Sequence, residues 1–270
     1  NRVLGANHLD TQESRLALAD AYRAAEKSDL ALPLYEDALR GLEQTQGLDH
    51  PETLDSLNQL AVYCWELKRL DRSIPLFEEA LRRNESKWGR TDQRTLTVLA
   101  NLGVNYDSAG RHMDGLPLLL EAWGSAGKYP VLRFVRLHLL GTCIKLKQQE
   151  PGTQLIAEML AEARQATAPN SLDLANRLVS LGDSLLQLDD YKAAEQLFRE
   201  CLAIREQHQP EDWTTFNARS LLGASLLGQS KFAEAEPILL SGYEGLVQRT
   251  ESIPANAKSR LTVALQRLSE

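Results

Sequence analysis

Apolar residues along this chain recur at spacings of 3, 4 and 7, and the whole pattern is itself repeated. Within Asp49–Gly89, Leu60, Ala61 and Cys64 form one set, and Ser73, Leu76, Phe77, Ala80 and Leu81 form a second. That is the period of an amphipathic helix with one buried face. One step earlier stand Leu18, Ala19 and Tyr22, then Ala31, Leu34, Tyr35, Ala38 and Leu39. One step later stand Leu102, Gly103 and Tyr106, then Gly115, Leu118, Leu119, Ala122 and Trp123. The step is 42 residues: it separates Pro33, Pro75 and Pro117, and likewise Gly5, Gly47 and Gly89. A fixed period of this size marks an array of two-helix units, each needing its neighbours to cover its apolar faces.

The array continues with one irregularity. In the fourth unit GSAGKYP shortens the step to 37, from Pro117 to Gln154, and the inter-helix turn around QQEPG reads one residue short. The pattern resumes as Leu140, Gly141 and Ile144, with Leu155, Ile156, Met159 and Leu160. The fifth unit is regular (Leu181, Gly182, Leu185; Ala194, Leu197, Phe198, Cys201, Leu202), and the sixth follows 41 on (Leu222, Gly223, Leu226; Ala235, Pro237, Ile238, Leu239, Gly242). The expected boundaries are 7–48, 49–90, 91–127, 128–168, 169–209 and 210–252, with a capping helix in 253–270. Residues 1–6 read as the end of a truncated upstream repeat, because NRVLG stands where ESKWG precedes Gly89, and the chain starts at Asn1, not Met.

Local signals fit helices. Asp49, with Pro51 in the first turn and Glu52 three residues on, reads as an N-cap, matched by Asn7 one step earlier and Thr91 one step later. The second-helix prolines (Pro33, Pro75, Pro117, Pro237) are expected in the first turn or two, where a missing N–H costs little. A small residue follows a repeated leucine throughout: Ala19, Ala61, Gly103, Gly141, Gly182 and Gly223. Mid-helix glycine costs about 1 kcal/mol against alanine, so close approach of the paired helices is the expected reason, with the leucine as buried knob.

Composition narrows function more than fold. A net charge of -7 argues against a phosphate-reading surface, so no nucleic-acid partner is expected. No run of 18 apolar residues exists to span a membrane as a helix. Cys64, Cys143 and Cys201 lie too far apart for a metal knuckle, and three thiols do not make a disulfide framework. Buried free thiols in a reducing, cytoplasmic setting are expected. The chain lacks a Gly-rich phosphate loop, a G-x-S-x-G elbow and an H-E-x-x-H helix. The five histidines are scattered, and His8 and His50 are one step apart, which repetition explains. No enzymatic activity, cofactor or metal is expected within this chain.

The Leu–small pair, the aromatic or apolar residue three on, and the Ala–aromatic–Ala second helix resemble the tetratricopeptide repeat. The likeness is strongest in GLDHPETLDSLNQLAVY, RSIPLFEEALRRNES, AAEQLFRECLAIRE and FAEAEPILL. The 42-residue step resembles the kinesin-light-chain subclass, of the kind found in large bacterial multi-repeat proteins. The resemblance implies an all-α, right-handed superhelix (an α-solenoid) of antiparallel helix pairs with a concave groove. The first helix of each pair would line that groove, which places Asn58, Gln59, Val62 and Trp65; Asn101, Val104 and Asp107; His138, Thr142 and Lys145; Ser180, Asp183 and Leu186; and Ser220 and Leu221 there. Asn and Gln can bond both the donors and the acceptors of an extended peptide, and Trp65 offers an apolar anchor. Between Glu121 and Glu150 there is no acidic residue, whereas Lys128, Arg133, Arg136, Lys145 and Lys147 fall there. The expected partner is therefore another protein or an extended, acidic peptide. Two other readings stay open: a regulatory or docking arm of a larger bacterial protein such as a serine/threonine kinase, and a self-assembly module. The chain is expected to be a monomer or to self-associate weakly.

Overall fold

The structure is a computed structural model that describes residues 8–269, all-α with no strand among them. It divides into two compact units, Asn1–Thr142 and Cys143–Glu270. The first holds α1 (Leu9–Ala24), α2 (Ser28–Thr45), α3 (Pro51–Glu66), α4 (Leu70–Trp88), α5 (Gln93–Ser108) and α6 (His112–Gly124), then a 3₁₀ helix, Pro130–Val135. Helix α7 (Arg136–Lys145) runs through the junction. The second unit holds α8 (Gln149–Ala166), α9 (Leu172–Gln187), α10 (Tyr191–His208), α11 (Trp213–Gly228), α12 (Phe232–Gln248) and α13 (Ser259–Ser269). Within each unit consecutive helices pack on one another, as helical hairpins stacked side by side. In the second unit α13 packs on α12 and α11. There Ala264 closes a cluster with Phe216, Leu246 and Ile253.

The repeat is written in the backbone as well as the side chains. Left-handed residues stand at Glu26, Lys68, Gly110, Lys147, Asp189 and Ser230, with φ from 53° to 75°. After each, the next N–H donates to the carbonyl five residues back: Lys27 to Tyr22, Arg69 to Cys64 and Asp190 to Leu185, each at 2.9 Å. This is a Schellman closure, which satisfies end-of-helix carbonyls and reverses the chain in three residues. All six turns have that length. The turn of the fourth unit is Leu146–Gln148 and is not short, contrary to the expectation at QQEPG. The missing residues come from α6, which stops after 13 residues where α4 runs 19.

Other local expectations shift by a residue or by an environment. The first-helix N-caps are His8, His50 and Asp92, one residue after the positions read from sequence, so Asp49 and Thr91 do not cap; Asn7 lies outside the described residues, as do residues 1–6. Pro51 does open α3. Pro33, Pro75, Pro117 and Pro237 are each the sixth residue of their helix. That is past the donors that lack partners, so each proline forfeits a helical bond.

The core follows the repeated positions. Leu60, Leu102, Leu140, Leu181 and Leu222 are all buried, while Leu18 is 45 % exposed, because no described helix precedes α1 to cover it. A Cβ on Gly182 would lie 2.6 Å from the Phe198 ring, and one on Gly223 2.5 Å from Leu239. Close approach is thus the reason for glycine at these positions. At Gly141 it is not, since a Cβ there would meet nothing within 4 Å. Sixteen residues on from Gly103, Gly182 and Gly223 stand Leu119, Phe198 and Leu239, the side chains that crowd them. The three cysteines are free and buried.

Candidate functional site

Helices α3 and α5, the first helices of the second and third pairs, lie against each other. Their facing side chains meet at a separation of 43 residues, one more than the repeat. The Asn101 amide Nδ2 donates to Asn58 Oδ1 at 3.3 Å, and the Trp65 Nε1–H donates to Ser108 Oγ at 3.1 Å. An equivalent rung joins Arg23 of α1 to Glu66 of α3. The spacing of 3 and 4 along α3 that aligns Asn58, Val62 and Trp65 therefore builds one wall, and Asn101 and Val104 of α5 build the next.

Between these walls is a cleft of about 240 Å³. Val62, Trp65, Asn101 and Val104 line it, with His138 from α7. Three further residues complete it: Phe77, Asn105 and Phe134. Phe77 of α4 is fully buried. Asn105 is held by the buried Ser73 hydroxyl, which donates to its Oδ1 at 2.6 Å, while its own Nδ2 donates to the Asn101 carbonyl at 3.0 Å. Beside Trp65, the Lys68 ammonium stands 5.5 Å from the indole centroid, a cation–π contact.

Beneath His138 a carboxylate gathers three donors. Asp107, almost buried, accepts from Thr142 Oγ1 at 2.8 Å and faces His112 Nδ1 at 2.9 Å and His138 Nδ1 at 3.4 Å. Both imidazoles turn Nδ1 to an acceptor, so that nitrogen carries the hydrogen. The arrangement fixes the ring of His138 at the cleft edge.

Five residues read from sequence thus meet in one cleft, and Asn58 joins them through Asn101. Gln59 is exposed outside it. Thr142 is fully buried, its hydroxyl spent on Asp107, so it does not line a groove; Ser220 and Leu221 are buried likewise. Lys145, Ser180 and Asp183 belong to the second unit. There Asp183 and Leu186 line a separate, wider cleft of about 490 Å³ with Phe232 and Val263. Of the basic residues, Lys147 pairs with Asp189 at 2.9 Å and donates to the Gln187 carbonyl, which removes it from a free basic patch. Lys128 lies 4.8 Å from the Tyr129 ring centroid, and Arg133 is exposed on the 3₁₀ helix. Phe77, Asn105 and Phe134 were missed: the first two carry no mark beyond core periodicity, and Phe134 sits where the repeat breaks.

Among the described residues no group of His, Cys, Asp and Glu is arranged to hold a metal ion, and no helix is long and apolar enough to cross a membrane.

Residues 10–86 and 174–208 match family models described as tetratricopeptide repeat. No curated protein sequence matches the chain. Among solved structures the fold is similar to the apo form of RapI (12% identity, 96% of this chain and 98% of that chain, TM-score 0.56). It is also similar to aspartyl phosphate phosphatase F from Bacillus subtilis (15% identity, 90% of this chain and 61% of that chain, TM-score 0.53). A kinesin light chain with nearly identical repeats from Podosopora anserina aligns over 89% of this chain and 97% of its own at 15% identity, TM-score 0.39. At such identities the likeness concerns the fold alone.

Proposed function

We propose that this chain, whose residues 10–86 and 174–208 match tetratricopeptide-repeat models, is a non-enzymatic binding scaffold which holds an extended segment of a protein partner at the α3–α5 cleft. The observation that carries the reading is the make-up of that cleft. A half-buried indole and two valines offer an apolar seat, and the Asn101 carboxamide beside them, braced by its bond to Asn58, is able to bond a peptide backbone. The same unit supplies charge. Lys128 and Arg133 lie in a stretch of sequence with no carboxylate, on an otherwise acidic chain, which favours a partner segment carrying Asp or Glu. Three unpaired, buried thiols suit a reducing compartment, and the cytoplasm is the proposed location.

The test is calorimetric titration with extended peptides that carry one large apolar residue among Asp and Glu, and with the same peptides in which Lys replaces the acids. Acidic peptides should bind in preference. Replacing Asn58, Trp65 and Asn101 together by alanine should abolish binding, and Lys128→Glu with Arg133→Glu should weaken it and flatten its salt dependence. Binding untouched by the triple change would refute the cleft as the site; binding untouched by the charge reversal would refute the acidic partner.

A further inference from the structure

We infer that Phe134 is the specificity-determining wall of the cleft, and that the shortened fourth step is what supplies it; this rests on the cleft being the peptide site. The second helices α2, α4, α8, α10 and α12 run 17 to 19 residues, but α6 ends after 13. The chain then turns through the 3₁₀ helix Pro130–Val135. With three residues per turn, residues three apart share a face. Leu132 and Val135 form the inner face, both fully buried. Val131, Phe134 and, from the first turn of α7, Leu137 remain 52 %, 44 % and 69 % exposed.

Single exposed apolar side chains are ordinary, but three in successive turns form a ridge that water disfavours. Of the three, Phe134 is the one that enters the cleft with Trp65. A regular junction has no such residue: between α4 and α5 the chain reads Gly89, Arg90, Thr91, Asp92. The cleft is therefore finished by the departure from the repeat and not by the repeat. Its volume of about 240 Å³ is below the roughly 300–1,000 Å³ of small-molecule sites. One large apolar side chain of an extended peptide fits it, and the Phe134 ring sets how large.

A random linear-peptide phage library selected on the whole 270-residue protein tests this, with affinities of the selected peptides read by fluorescence anisotropy. Phe134→Ala should weaken them about tenfold, Phe134→Leu should fall between, and reselection on Phe134→Ala should favour a bulkier anchor residue. Melting curves guard against a folding defect, which the exposure of Phe134 makes small. If Trp65→Ala and Asn101→Ala weaken binding while Phe134→Ala leaves both affinity and reselected anchor unchanged, the role of Phe134 is refuted and the cleft stands. If no selected peptide responds to any of the three changes, both are refuted.

Discussion

At the scale of single residues, the informative position is the small one after the repeated leucine. Crowding there varies from unit to unit: Phe198 and Leu239 press on Gly182 and Gly223, Gly141 has open space, and Ala19 and Ala61 keep a Cβ although Tyr35 and Phe77 stand sixteen residues further on. Gly182→Leu should therefore destabilise by about 1–3 kcal/mol through overpacking, read as a lower Tm and a shallower transition. Gly141→Ala should do the opposite, adding up to about 1 kcal/mol of helix propensity; equal losses at both positions would disprove the packing account. The cleft obeys the same residue-level logic. Val62, Trp65, Asn101 and Val104 line it at positions legible in the sequence because they fall on one face of their helices. Thr142 obeyed that spacing too, but Asp107 draws its hydroxyl inward, and the position of a buried carboxylate is not written in a period.

Helices and turns show where local chemistry departs from the repeat. Five of the six left-handed turn positions hold Glu, Lys, Lys, Asp and Ser, and only Gly110 is glycine. Glycine is the sequence mark of a Schellman closure, so the turn at Gly110 is legible and the fourth, closed by Lys147, is not. Gly110→Ala should cost about 1 kcal/mol, because its φ of 75° penalises a Cβ, whereas Lys68→Gly should be neutral or slightly stabilising. Denaturant midpoints of the two variants check this. The sixth-residue prolines lead to a second expectation. Pro75 is exposed, and Pro75→Ala restores an N–H to the carbonyl of Asp71, so the variant should gain about 1 kcal/mol or more in a urea melt. Helix existence, order and core faces were legible because they repeat; cap residues were off by one because His50, not Asp49, takes the extended cap conformation.

For the molecule as a whole, stability rests on two stacks whose polar fastenings differ. In the second, Glu195 accepts from Lys231 and Gln229 at 2.8 Å and from Arg199 at 2.7 Å. The Lys231 ammonium, with the other two donors, draws its carboxyl from the ordinary 4.5 down to about 2. Its contribution is thus complete above the ordinary value and lost as pH falls from about 4.5 toward 2. Glu195→Gln should lower Tm at neutral pH by the equivalent of about 1 kcal/mol, and the gap between wild type and variant should close in acid. A gap independent of pH would contradict this assignment. Each stack also encloses sulfur. Cys64 lies in the first stack, and Cys143 and Cys201 in the second; burial raises all three thiols, Cys143 to about 11. An alkylating reagent attacks thiolate, so each sulfur stays silent until its own surroundings loosen. The chain thereby carries natural clocks of local opening, and their relative rates would tell whether it comes apart hairpin by hairpin or all at once.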